Sequence, residues 1–145
     1  MKVNLGDIFK IPFEGQDAIC KVVWISEKFE DCLGFVVFSK LNDINQTTDD
    51  HDYKLIPIYS GDVSVLYGDI RNISKSRWPI VAHSSVTEQE TRLIFHNIAG
   101  KLYCGDNYIK ELSEDKLSSY PKFLRAGDQA IINMLKNAFN ISSNS

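Results

Sequence analysis

The chain of 145 residues has little cysteine, no long apolar run and no surplus of positive charge, and each lack excludes a class of protein. Its three cysteines are odd in number and form no C-x-x-C pair, so neither a disulfide framework nor a zinc site is expected. No stretch approaches the ~18 consecutive apolar residues that a membrane-spanning helix requires. The 16 Lys and Arg residues are outnumbered by 19 Asp and Glu residues, which argues against a broad face for nucleic acid.

The start of the chain predicts where the protein works. Residues 1–7 contain neither the apolar core nor the cleavage site of a secretory signal peptide. Together with the few cysteines, this predicts a soluble protein of the reducing cytoplasm that makes no contact with a membrane. The length fits one domain, which we place at residues 1–141, followed by a disordered tail at 142–145. No cofactor and no metal ion are expected.

Period-2 alternation predicts β-strands over most of the chain. Phe9, Ile11 and Phe13 share one face of a first strand, which a turn at residues 14–17 connects to a second. The second strand, residues 18–25, is apolar on both faces and therefore needs cover on both. Its side chains divide into Ala18, Cys20, Val22 and Trp24 on one face and Ile19, Val23 and Ile25 on the other.

The C-terminal region changes to a helical period. With Asp128 as N-cap, one apolar face is predicted to contain Ile131, Ile132, Leu135, Ala138 and Phe139. The fold class that we expect is therefore α+β and β-dominated. It consists of a mostly antiparallel twisted sheet, or a partly open barrel, with a C-terminal amphipathic helix packed against it.

An acidic loop at residues 42–54 is the longest polar insertion, and loops of this length are often functional. Its four aspartates against Lys54 give −4 + 1 = −3, which equals the net charge of the whole chain. We expect this loop to meet a basic surface on a partner protein. An alternative metal site, in which His51 joins the carboxylates, is less favoured than a solvated loop. The predicted partner-binding residues are Asp43, Asp49, Asp50, Asp52 and the adjacent Tyr53, which we expect to be an exposed anchor.

Catalytic residues are not predicted. Cys104 could serve as a nucleophile with His83 or His96 as its base, but no spacing in the sequence brings them together. All three cysteines, Cys20, Cys32 and Cys104, fall in predicted strands and are typical of small core residues. We therefore expect a protein that is not an enzyme.

Two stretches carry a resemblance to a known family. Residues 6–13 read Gly-Asp-Ile-Phe-Lys-Ile-Pro-Phe, and residues 78–81 read Trp-Pro-Ile-Val, followed by a hairpin that begins at Gly100. Together they resemble the bacterial immunity protein 26 family over most of residues 6–112. The resemblance implies a mostly β domain of the cytoplasm that binds and neutralises a cognate polymorphic toxin, such as a nuclease, by covering its active or substrate-binding surface.

Two other functions stay open at this stage. A small-barrel endoribonuclease of the toxin–antitoxin type begins with a similar Gly-Asp and strand, but residues 16–21 lack the Arg and Pro that such enzymes place there. A non-catalytic adaptor or scaffold domain is also compatible with the composition. The sequence likewise leaves open whether the chain acts alone or as a homodimer.

Overall fold

The computed structural model of the protein describes residues 2–47, 52–58 and 61–141. Within these residues the strands, in chain order, are β1 (Asp7–Phe13), β2 (Gln16–Ile25), β3 (Cys32–Val37), β4 (Ile56–Ile58), β5 (Gly61–Val63), β6 (Val65–Asp69), β7 (Ile80–His83), β8 (Phe95–Ile98), β9 (Lys101–Cys104) and β10 (Asn107–Glu111). The α-helices are α1 (Arg71–Ser74), α2 (Glu88–Thr91) and α3 (Asp128–Ala138), and 3₁₀ turns cover Ile44–Thr47, Arg92–Ile94 and Glu114–Ser119.

Five strands form the central sheet in the order β6-β3-β2-β1-β7, and each neighbouring pair is antiparallel. β1 and β2 are joined by a two-residue turn, Glu14 and Gly15, whose φ angles are 49° and 75°. Such positive angles match the twist of the flanking strands. The prediction of a β-dominated α+β fold with a mostly antiparallel sheet is confirmed. Of its two alternatives the open sheet is the one formed, because the described strands do not close into a barrel.

The C-terminal helix covers one face of the central sheet, as predicted. Phe9, Ile11 and Phe13 all point to this face and are buried there. Ile131 and Leu135 of α3 pack against them with no exposed surface. The rest of the cover on this face includes Ile56, Val63, Ile73 and Trp78. α3, with 11 residues, is the longest helix in the described part of the chain, and no helix there is long and apolar enough to cross a membrane.

The start of α3 differs by one residue from the prediction. Asp128 was expected to be the N-cap, but it is the first helical residue, and Gly127 precedes it in an extended conformation. The Asp128 carboxylate instead accepts hydrogen bonds from Arg77 at 3.1 Å and from the backbone N–H of Gln129 at 2.9 Å. The side chain therefore ties the helix to the segment after α1, a long-range contact that the local pattern does not contain.

Because of a β-bulge, Trp24 points to the face of the sheet opposite to the predicted one. The register of β2 against β3 shifts between Val22 and Trp24, so that Val23 is an extra residue in the ladder. Because side chains alternate strictly in a regular strand, one extra residue reverses the face of those that follow. Trp24 therefore lies with Val23 on the second face of the sheet and not with Val22. Ile25 is reversed in the same way and packs against the first face.

The second face of the sheet is covered by later parts of the chain. β8, β9 and β10 form a three-stranded sheet on this side, whereas β4 and β5 form a two-stranded sheet whose Ile56 and Val63 belong to the cover of the first face. Residues 121–126, which we call the bridging segment, connect the three-stranded sheet to the central one. Asn97 of β8 donates to Pro121 and accepts from Phe123, and Ala126 donates to Tyr67 of β6. Between these bonds the Phe123 ring is packed against Trp24, so the segment is attached on both sides.

Replacing Gly6 by alanine is expected to destabilise the protein more than the same change at Gly15. Both glycines have positive φ, 89° and 75°, which costs an alanine about 1–2 kcal/mol. At Gly6 the added Cβ would also lie 2.3 Å from the Ser84 carbonyl oxygen, whereas at Gly15 it meets nothing within 4 Å. We expect a further loss of about 1–3 kcal/mol at Gly6, measured by urea unfolding. Equal losses in the free energy of unfolding at the two positions would show that the backbone near Ser84 moves to accommodate the added Cβ at little cost.

Candidate binding surface

The acidic loop is described only at its two ends. Asp49 and Asp50, two of the predicted partner-binding residues, lie outside the described residues, as does His51. Asp43 accepts a hydrogen bond from the backbone N–H of Asn45 at 3.0 Å, which closes a local turn. Asp52 is exposed, and its carbonyl oxygen accepts from Ser39 at 2.9 Å. The structure thus holds both ends of the loop against the protein, and binding by these aspartates stays a prediction.

No metal-binding cluster is found in the part of the chain that the structure describes. Within residues 2–47, 52–58 and 61–141, no three His, Cys, Asp or Glu side chains are grouped so that they could hold a metal ion. The alternative metal site at residues 49–52 falls largely outside those ranges.

Tyr53 is not the exposed anchor that the sequence predicts. Its ring is half-buried and packs against Phe38, with 5.6 Å between ring centroids. Its hydroxyl donates to Glu90 Oε2 at 2.5 Å. Burial, followed by this hydrogen bond, raises the pKa of Tyr53. The prediction of an exposed side chain rested on the position of Tyr53 beside an acidic loop. It is wrong because Tyr53 points inward and donates to Glu90, which is 37 residues away in the chain.

That carboxylate belongs to a buried ion pair. Lys21 on β2 and Glu90 in α2 both have no exposed side-chain surface, and Lys21 Nζ lies 2.8 Å from Glu90 Oε1. The ammonium also donates to the Ser85 carbonyl oxygen at 2.9 Å. Burial acts to raise the pKa of Glu90, but hydrogen bonds from Lys21, Tyr53 and the Thr87 backbone outweigh it and lower that pKa. We call Lys21, Tyr53 and Glu90 the buried triad.

The local sequence explains how Glu90 is held. Thr87 caps α2, its hydroxyl accepts the N–H of Glu90 at 3.1 Å, and Glu90 Oε1 accepts the N–H of Thr87 at 2.9 Å. This is the capping box that a Thr followed three residues later by Glu favours. The glutamate oxygens are thus bonded on all sides by the chain's own groups. The buried triad therefore fastens α2 to the second face of the sheet.

A second polar group lies under the three-stranded sheet. His96 is fully buried, with Nε2 at 3.0 Å from the Gly105 carbonyl oxygen and Nδ1 at 3.0 Å from the Tyr67 hydroxyl. Since a carbonyl oxygen only accepts, Nε2 carries the proton and Nδ1 accepts from the tyrosine. Burial lowers the pKa of His96, which keeps the ring neutral. It is packed between Trp24, Tyr67 and Phe123.

The structure separates the cysteine and histidines considered as a nucleophile and its base. Cys104 lies opposite Phe95 in the β8–β9 ladder, while His96 lies opposite Tyr103. Neighbouring positions of a strand point to opposite faces, so Cys104 and His96 do not face each other. His83 is bonded to Asp7 at 3.0 Å, at the β1–β7 edge of the central sheet. Burial raises the pKa of Cys104, which disfavours the reactive thiolate.

The outward side of the bridging segment forms a groove that the sequence did not predict. Phe123 points inward, while Lys122 and Leu124 on either side of it are exposed. They line a hollow of about 710 Å³ between the bridging segment, the β8–β9 turn and the 3₁₀ turn Glu114–Ser119. The residues that line this hollow are Asn97, Ile98, Ala99, Gly100, Leu117, Ser118, Lys122, Phe123 and Leu124.

Two smaller hollows continue the first one. The hollow that Leu124 shares, of about 160 Å³, also contains Val63 and Met134. The hollow that Leu117 shares, of about 330 Å³, extends toward Asp62. Lys122 lines all three hollows, so they adjoin one another at this residue, and we call the three together the Lys122 groove. Two of its leucines are exposed large apolar side chains, Leu117 at 37% and Leu124 at 54%.

The polar groups of the groove differ in how they are satisfied. Asn97 at its floor donates to the Leu117 carbonyl oxygen at 3.1 Å and accepts from the Gly100 N–H at 2.8 Å. Lys122, in contrast, has an ammonium that forms no hydrogen bond and no ion pair with any residue the structure describes. Two of the three hollows are therefore mostly apolar, and all three share one cation that pairs with no described residue.

The sequence contains a weak signal for this groove. Residues 121–124 alternate between half-buried and exposed positions, which is the pattern of an extended segment. The segment has only one inward aromatic, Phe123, and this is too short for a strand prediction. Nothing local indicates that it would lie between two sheets.

Comparison of the chain with protein-family models, with curated proteins and with solved structures gave no match.

Proposed function

We propose that this protein is an immunity protein that binds a cognate polymorphic toxin in the cytoplasm and covers the toxin's active or substrate-binding surface. The observation that carries the proposal is the Lys122 groove, because an open apolar hollow with exposed leucines at its edges is typical of a surface that binds another protein. The class of partner comes from the resemblance of residues 6–13 and 78–81 to the immunity protein 26 family.

The placement of the ionisable groups supports binding over chemistry. The Lys21–Glu90 pair and His96 are fully buried and bonded to neighbouring protein groups. An acid or base that is enclosed in this way has a structural role and no path to a substrate. The protein exposes 8107 Å², and a standard interface would cover roughly 800 Å² of it, about a tenth.

The acidic loop gives the proposal a second surface. Neutralising Asp43, Asp49, Asp50 and Asp52 to asparagine is expected to slow association with the toxin domain and to flatten its dependence on salt, with a smaller effect on dissociation. The physical reason is that −4 charge on one loop attracts a basic, phosphate-binding surface over a distance. Stopped-flow association at several salt concentrations measures this. The matched control changes four exposed acidic residues outside the loop and the groove, Glu27, Glu30, Glu88 and Glu111, to their amides, and it should leave the rate nearly unchanged.

Cell survival tests the proposed function. The chain is expressed in cells that carry the toxin-like domain encoded beside it, and survival is compared with an empty vector. The proposal predicts rescue and a one-to-one complex on purification. Absence of both would contradict it and favour an adaptor role. If expression of the chain alone cleaves cellular RNA and stops growth, the endoribonuclease alternative becomes the better account.

A further inference from the structure

We infer that the Lys122 groove binds an extended internal segment of the toxin in which an Asp or Glu side chain is flanked by apolar side chains. This inference rests on the proposed function and names the chemistry that the groove recognises. It is carried by three features of the groove: its unpaired cation, its apolar hollows and the meeting of three hollows at Lys122.

The charge at the centre requires a carboxylate. Lys122 is exposed, lines the main hollow together with Leu117 and Leu124, and forms no ion pair with a described residue. A partner that covers the groove removes water from this ammonium, which is costly unless the partner supplies an opposite charge. A carboxylate satisfies the ammonium by a charge-assisted hydrogen bond. A partner with a neutral or basic residue at this point would leave a buried, unpaired charge.

The apolar hollows require apolar side chains on both sides of the carboxylate. The main hollow, of about 710 Å³, lies against Ile98, Leu117 and Leu124. The hollow of about 160 Å³ on the other side of Leu124 contains Val63 and Met134. In an extended chain, side chains on one face recur about every 7 Å. Successive residues on one face of a strand-like segment can thus fill one hollow, pair with Lys122 and fill the next hollow.

The arrangement of three hollows around Lys122 favours an internal segment. Since Lys122 lines all three hollows, a chain that pairs with it has depressions to enter on both sides. A chain terminus bound through its own carboxylate would use one side only and leave the other open. Asp62 at the end of the third hollow also disfavours a second acidic group there. We therefore assign the groove to a side-chain carboxylate.

Matched variants test the groove. Lys122→Glu and Leu124→Ser are expected to weaken binding of the purified toxin domain at least about tenfold each in Kd. Lys122→Met, which keeps the stem and removes the charge, should lose affinity too. The controls are Leu5→Ser, whose leucine is 50% exposed, and Lys75→Glu, whose lysine is exposed and lines none of the three hollows. Both should bind within about twofold of the parent. Thermal melts of all five variants identify any loss of fold.

Peptides identify the chemistry separately from the toxin. Three pools of short synthetic peptides are compared by NMR shifts of the Lys122 and Leu124 amides. The first has Leu-x-Glu-x-Leu at its centre and both termini blocked, the second has Lys in place of Glu, and the third ends in a free carboxylate after the apolar residues. Only the first pool is expected to shift both amides. Equal shifts with the lysine pool, or larger shifts with the third pool, would overturn the inference.

The two proposals fail in different ways. If the cells survive and the Lys122 and Leu124 variants bind the toxin with unchanged affinity, the immunity function is supported and the assignment of the groove is wrong. If the cells are not rescued but the first peptide pool still binds selectively at Lys122, the chemistry assigned to the groove is supported. The same result would show that the bound segment does not come from the toxin.

Discussion

Lys21→Met is expected to lower the free energy of unfolding by about 3–5 kcal/mol, because it leaves the Glu90 carboxylate buried without its counter-ion. The methionine fills much of the space of the lysine stem, so the loss reports the unpaired charge more than a cavity. Urea unfolding at neutral pH measures it. The matched control is Lys10→Met on β1, whose ion pair with Asp17 is 3.7 Å long and partly exposed and which should lose no more than about 1 kcal/mol.

The double variant separates the charge from the packing. Lys21→Met combined with Glu90→Gln removes both charges and leaves an amide whose oxygen can still accept from the Thr87 N–H and whose NH2 can donate to the Tyr53 hydroxyl. We expect it to recover much of the stability that the single variant loses, because replacing a buried ion pair by neutral groups is often close to neutral. A double variant no more stable than Lys21→Met would show that the buried triad acts through packing alone.

His96→Phe is expected to cost about 2–5 kcal/mol, since two buried groups lose their partners. The Tyr67 hydroxyl and the Gly105 carbonyl oxygen would each be left without the histidine, and an unsatisfied buried polar group costs about 1–3 kcal/mol. Tyr67→Phe removes only one of the two bonds and should cost about half as much. Equal losses for the two variants would contradict the assignment of a bond to each ring nitrogen.

The same histidine predicts a dependence of stability on pH. Burial lowers the pKa of His96 in the folded protein, while the unfolded chain has the ordinary value of 6.5. Its contribution is therefore complete above pH 6.5 and is lost as the pH falls from 6.5 toward the folded pKa, because only the unfolded state takes up the proton. The pKa of Glu90 is also lowered, but its contribution is lost only below about pH 4.3, the unfolded value.

Unfolding free energies between about pH 7.5 and 5.5 test this assignment. The parent protein should become less stable toward pH 5.5, and the His96→Phe variant should show a flatter profile over the same range. An unchanged slope in the variant would show that His96 is not the group responsible.

Local patterns predict the strands and the last helix well, and the reason is physical. Phe9, Ile11 and Phe13 alternate and are buried on one face, and Ile131 and Leu135 lie one helical turn apart on the face that packs against the sheet. Each of these features is set by the geometry of a single element. Trp24 is the exception within a strand, because the bulge beside it depends on how β2 pairs with β3.

The sites are harder to predict because their partners are far apart in the chain. Tyr53 is exposed or buried according to where Glu90 lies, and Lys21 looks like a surface lysine until α2 is placed over it. The groove depends on the bridging segment, whose position between two sheets follows from bonds to β8 and β6. The acidic loop can be recognised in the sequence from its charge pattern, but the sequence does not identify its partner, because binding depends also on the partner's surface.

The most direct test of the central claim is a titration of the toxin domain's own activity with the purified chain. Neutralisation by binding and cover predicts that activity falls in proportion to the added chain and reaches background at one equivalent, with no further change over time. Activity that persists at a large excess of the chain would contradict the account. A slow, complete loss of activity far below one equivalent would contradict it as well, because it would require the chain to act on the toxin by chemistry.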